Sequence, residues 1–115
     1  MNRDLSAFPG LVLLRSQLGA VLVAAVVDAF RQDTPETLRK LAAGAQAGQA
    51  DKVEMYAHAV AGSAAEIGLE DLAEAARQLE RTAHANPAQI AHHLSTVLGL
   101  AFAGLDSLGR AFAES

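Results

Sequence analysis

The side chain with the most telling surroundings in this 115-residue chain is His58, in the stretch His58-Ala59-Val60-Ala61-Gly62-Ser63-Ala64-Ala65-Glu66-Ile67-Gly68. Apolar residues recur at Val53, Ala57, Val60, Ala64 and Ile67, the spacing of one buried helix face. At about 100° per residue, His58 and Gly62 fall on the opposite, wet side. An exposed imidazole with its ordinary pKa near 6.5 is mostly neutral at neutral pH and offers a nucleophilic nitrogen. Glycine inside a helix costs about 1 kcal/mol relative to alanine, a residue this chain uses freely. A bare position one turn after an exposed His is what the close approach of another molecule to the ring would require. The competing reading is a surface His with no role in an Ala-rich helix.

Other chemistries find less support. With no cysteine, disulfides, thiolate metal sites and Cys nucleophiles are excluded. His84, His92 and His93 include an adjacent pair, which diverges on a helix, and no HxxxH spacing is present, so no metal site is expected. Ser63 projects away from His58, which argues against a serine nucleophile paired with it. Glu54, one turn before His58, could fix the ring tautomer by accepting a hydrogen bond, or could form a capping pair with Asp51. The net charge of −4, without any basic run, argues against nucleic acid or an anionic membrane as partner.

These residues sit in a chain whose composition is helical. Its core must come from Ala, Leu and Val, because only four Phe and one Tyr are present, and it has only three prolines. The length fits one domain, residues 1–115. A lead-in with a turn at Phe8-Pro9-Gly10 and a short helix through Leu11, Leu14 and Leu18 are expected over residues 1–19, and a bundle over 20–115. Val23, Val27, Phe30, Thr34, Leu38, Leu41 and Ala45 keep a single helical phase, which predicts one long helix bent at Pro35. After a break at Gly44–Gly48, Asp51 is the expected N-cap of the His58 helix, and Gly68 its stop. A helix over about Leu69–Ala85 follows, and Asn86-Pro87 opens the last one, with Ile90, Leu94, Val97, Ala101, Leu105, Leu108 and Phe112 inward. Short connections make neighbours antiparallel. The fold class is all-α, an antiparallel four-helix bundle with a short extra N-terminal helix.

The one segment resembling a membrane span, Leu11–Phe30, has an uninterrupted apolar part, Leu18–Val27, well short of the roughly 20 residues needed. It reads as a core helix, buried within a monomer, and neither a membrane nor a signal peptide is expected.

The His58–Gly68 stretch resembles the signature of histidine-containing phosphotransfer (HPt) domains, H-x-[LV]-K-G-[SA]-[SA]-x-x-[LIV]-G. Phe30-Arg31-Gln32-Asp33-Thr34-Pro35-Glu36-Thr37-Leu38 is similar to the family's upstream F-x-x-D-x-P-x-x-L, and Leu72–Glu80 to its following helix. The resemblance covers roughly residues 20–85. It implies a stand-alone cytoplasmic phosphocarrier. His58 would accept a phosphoryl group from a receiver-domain aspartate and pass it to another receiver, of a response regulator or a hybrid histidine kinase. It implies a phosphotransfer protein rather than an enzyme with a complete active site of its own. No cofactor is expected on this chain, since Mg²⁺ belongs to the receiver. Gly62, Ala61, Ala65 and Met55 would dock the partner. Ala61 departs from the family, which places Lys there, and Arg77 or Arg81 of the next helix are the cations left to compensate. The alternative function is a helical adaptor in which His58 is not phosphorylated.

Overall fold

Alanine, leucine and valine at helical spacing build every element of the computed structural model, which describes residues 8–112. The lead-in expected before Phe8 lies outside the described residues. Helix α1 spans Pro9–Leu18, α2 Ala20–Gln46, α3 Ala50–Glu66, α4 Glu70–Ala85 and α5 Ile90–Phe112. Each of α2 to α5 packs on its neighbours in cyclic order, α2 on α3, α3 on α4, α4 on α5 and α5 back on α2, with α1 against α2 and the end of α3. This is the expected all-α four-helix bundle with an extra N-terminal helix.

The long second helix runs unbroken through Pro35, whose exposed position costs the ladder one hydrogen bond without disturbing the core. Its inward stripe is Val23, Val27, Phe30, Thr34, Leu38, Leu41 and Gly44, so Thr34 is a buried helical residue rather than the start of a new helix. Glycine stops both α2 and α3 by the same device. Gly48 and Gly68 adopt φ of 69° and 81°. The amides that follow, of Gln49 and Leu69, donate back to the carbonyls of Gly44 and Ala64 at 2.9 Å in each case. These two Schellman closures give the three-residue connections that fold α3 and α4 back antiparallel.

Several local expectations are corrected. Phe8-Pro9-Gly10 is not a turn, because Pro9 opens α1 and its fixed φ suits a first helical position. α3 begins at Ala50 with Gln49 in the cap position and no side-chain cap, so Asp51 lies inside its first turn. Pro87–Gln89 form a 3₁₀ turn before α5 proper. Among the described residues, the helical stretch long and apolar enough to cross a bilayer is Pro87–Phe112, not Leu11–Phe30. Its stripe Ile90, Val97, Ala101, Leu108 and Phe112 is buried in the bundle. The expected burial of Leu18–Val27 holds for Val23 and Val27 but not for Leu18, Val21 or Leu22, with Val21 83% exposed. The seam with α1 covers one side of α2 only, so this run is not fully buried within one copy of the chain.

The seat of α1 depends on a backbone contact. A Cβ added at Gly10 would lie 2.6 Å from the amide nitrogen of Gly68, where no side chain can yield. Gly10→Ala is therefore expected to destabilise the protein by about 1–3 kcal/mol in urea denaturation. An unchanged midpoint would show that α1 is not seated on the α3–α4 turn.

Candidate functional site

The site is built on the seam between α3 and α4, the closest helix pair in the bundle. α3 contributes buried Ala57, Ala61 and Ala64, and α4 contributes buried Ala73, Ala76 and Ala83. Side chains this small let the two backbones come close, so longer residues at the rim can meet across the groove. Two cross-helix contacts set the register: His58 Nδ1 lies 3.0 Å from Glu80 Oε2, and His84 Nε2 lies 3.7 Å from Glu54 Oε2. One turn along α3 is matched by one turn back along α4.

His58 projects from this rim with its side chain 78% exposed, as its helical phase predicts. Gly62 is also exposed, and a Cβ placed on it would meet nothing within 4 Å. The space beside the ring is thus open rather than filled by a neighbour. Met55, one turn earlier, is exposed as well, and Ala65 is half-buried. Together these residues form a shallow surface of small and pliable groups around an imidazole.

The ring's partner is not the residue expected from sequence. Glu54 does not reach His58; it faces His84, which also meets Asp51 Oδ1 at 2.8 Å. Its lateral position on α3 turns its carboxylate across the seam instead of along the helix. Glu80 takes the orienting place, from α4. A carboxylate can only accept, so in the neutral ring the proton resides on Nδ1, and Nε2 keeps its lone pair. Ala61 is a second correction. It is only 4% exposed, packed into the alanine seam, and is no free docking contact.

Other candidate chemistries remain apart. A groove between α2 and α3, lined by Phe30, Thr34, Ala59 and Ser63 among others, opens on the side of α3 away from His58. His92 and His93 pack edge-to-face on α5, with ring centroids 5.3 Å apart. Among the described residues, no three His, Cys, Asp or Glu side chains cluster so as to hold a metal ion.

An exposed neutral imidazole with one nitrogen tied back can act as a nucleophile, with positioning supplied by the bundle. Comparison with known families gives this geometry its context: the family model of the Hpt domain matches residues 25–109. The chain belongs to the Hpt domain family. No curated protein and no solved structure matches it. Hpt domains serve histidine phosphotransfer in phosphorelays and work with the receiver domains of two-component systems. The matched region of this Hpt domain takes in all of α3 and α4, with His58, Gly62 and Glu80, and leaves out α1.

Glu80 was missed because its role depends on interhelical register. The available signal was its phase on α4, on the same edge as Ala73 and Ala76, which marks it as bordering the neighbouring helix.

Two measurements test the site's construction. In ¹⁵N spectra of the deprotonated ring, His58 is expected to carry its proton on Nδ1, and Glu80→Ala to weaken that preference. A tautomer ratio unchanged by the substitution would remove Glu80 as the orienting group. Gly62→Ala is expected to stabilise the fold by about 0.5–1 kcal/mol in denaturation, since the helix gains propensity and nothing clashes. A loss of stability would mean that Gly62 serves packing.

Proposed function

We infer that His58 is the phosphoacceptor of a carrier working between receiver domains. The observation that carries this reading is the exposed His58 ring, held through Nδ1 by Glu80 beside the bare Gly62. In the forward step the Nε2 lone pair attacks phosphorus on a receiver's aspartyl phosphate. The Nε2–P bond forms as the P–O bond breaks, and the electron pair leaves with the aspartate carboxylate. Nδ1 keeps its proton throughout, and the positive charge that develops on the ring faces the Glu80 carboxylate, much as a buried Asp supports a catalytic imidazolium. Transfer to a second receiver reverses these steps.

Phosphoryl transfer is mostly positioning and charge neutralisation, so a carrier can leave the metal and the acidic pocket to its partner. Mg²⁺ belongs to the receiver in this scheme. Gly62 leaves room for the rim of the receiver's site, with Met55 and Ala65 as the flanking contacts. Such a carrier would work in the cytoplasm, where receivers and kinases meet. The second reading, an adaptor that binds without being phosphorylated, draws support from Ala61, where no cation stands.

Incubation with a phosphorylated receiver and Mg²⁺ decides between them. Wild type is expected to take up acid-labile, base-stable label, and His58→Ala none. Several receivers that bind the protein yet leave wild type unlabelled would sink the carrier reading in favour of the adaptor.

A further inference from the structure

A phosphoryl group on His58 would bring a dianion to a rim that already holds the Glu80 carboxylate, and α3 offers no cation beside it. We propose that the Arg77 guanidinium, reaching across the groove from α4, is the group that binds the phosphoryl oxygens on His58. This rests on His58 being the phosphoacceptor.

Three observations converge on Arg77. The first is register. With His58 against Glu80 and Glu54 against His84, the residue of α4 opposite Ala61 is Arg77. It lies three residues before Glu80, about 4.5 Å along the same edge of the helix. The cation absent from α3 therefore has a counterpart at the same level on the facing helix. The second is burial. Ala61 is 4% exposed although it lies one turn from an exposed His, while the Arg77 side chain is only 41% exposed. A short residue on α3 and a long, partly covered one on α4 together occupy one stretch of rim. The third is pairing. Glu74 holds Arg77 loosely, 3.5 Å from Nε, and holds Arg81 at 3.2 Å. Glu74 thus keeps a cationic partner if Arg77 turns toward His58. Such an exposed pair is weak, and a charge-assisted contact with a dianion outweighs it. Arg81 lies further round α4, about 40° beyond Arg77 by ideal helical phase and away from α3, so it is the worse placed of the two.

The transition state spreads negative charge over the phosphoryl oxygens, and a planar guanidinium one turn from the reacting ring is suited to meet two of them. The test uses ammonium phosphoramidate as a small donor, so that no receiver is needed. The Nε2–P bond forms as the P–N bond of phosphoramidate breaks and ammonia leaves. The initial rate of His58 phosphorylation, followed by ³¹P NMR, is expected to fall about three- to tenfold in Arg77→Ala, which corresponds to the worth of one such contact. Arg77→Lys should recover most of the rate, and Arg110→Ala, which removes an equal charge far along α5, should match wild type. In wild type, the Arg77 Nε resonance is expected to move on phosphorylation. A rate for Arg77→Ala equal to wild type, a rate loss equally large in Arg110→Ala, or an unmoved Arg77 resonance would each overturn the proposal. So would failure of wild-type His58 to react. Rate dependence on Arg77 with phosphoramidate, alongside no labelling by any receiver, would uphold the cation and reject only the relay.

Discussion

Everything functional on this bundle depends on how closely α3 and α4 approach. Their seam is alanine, with Ala57, Ala61 and Ala64 on one side and Ala73, Ala76 and Ala83 on the other, all buried. Each alanine buries little area, so the seam itself contributes modestly to stability by the usual rate of about 25 cal/mol per Å². Its value is geometric. Larger residues would move the axes apart, and the carboxylate of Glu80 would no longer lie 3.0 Å from His58. The larger side chains that supply most of the core, Leu41, Leu79, Leu108 and Ile67 among them, fill the bundle interior, leaving the seam free to stay thin.

The thin seam lets a weak interaction do something specific. An ion pair or hydrogen bond at a surface is worth about 1 kcal/mol or less, so the contact between His58 and Glu80 adds little to folding. Its effect falls on the ring instead: it fixes which nitrogen bears the proton and which way the plane faces. Because imidazole carries its nitrogens on different edges, tying Nδ1 to α4 aims Nε2 away from the bundle. Gly62 leaves the space one turn along from the ring open, with nothing within 4 Å of where a Cβ would stand. A stabler helix with Ala at position 62 was open to this sequence. The glycine is a local cost in helix propensity, and the fold provides no packing reason for it.

The fold was legible in the sequence where one residue type signals one local event. Helical phase gave the five elements, the continuous helix through Pro35 and the exposure of His58, because each is a property of a single helix. Gly68 is readable as a stop because a positive φ selects glycine, whereas the break expected at Gly44–Gly48 falls only at its end, with Gly44 buried inside α2 and Gly48 at positive φ. What was not legible is relational. Glu54 and Glu80 are equally plausible partners for His58 by chemistry, and only the α3–α4 register assigns one to His84 and the other to the ring. Ala61 reads as a docking contact from α3 alone, because helical phase around one axis does not show what the next helix covers. Val21 and Leu22 differ in the opposite sense: hydrophobicity predicts burial only where a neighbour covers the residue, and α1, which itself ends at the exposed Leu18, is too short to do so.

The same register explains how a carboxylate and a phosphoryl group could share one imidazole. Two like charges 4 Å apart repel by only about 1 kcal/mol in bulk water, and both groups here lie at a wet rim where screening by salt reduces this further. The ring also separates them, because Glu80 occupies the Nδ1 edge and a phosphoryl group would occupy the Nε2 edge. A ring carrying phosphorus would be formally cationic, and the nearby carboxylate would then stabilise that product instead of opposing it. The residual demand is for positive charge on the oxygens themselves. With α3 closed by the buried Ala61, that charge has to come from another helix or from the partner.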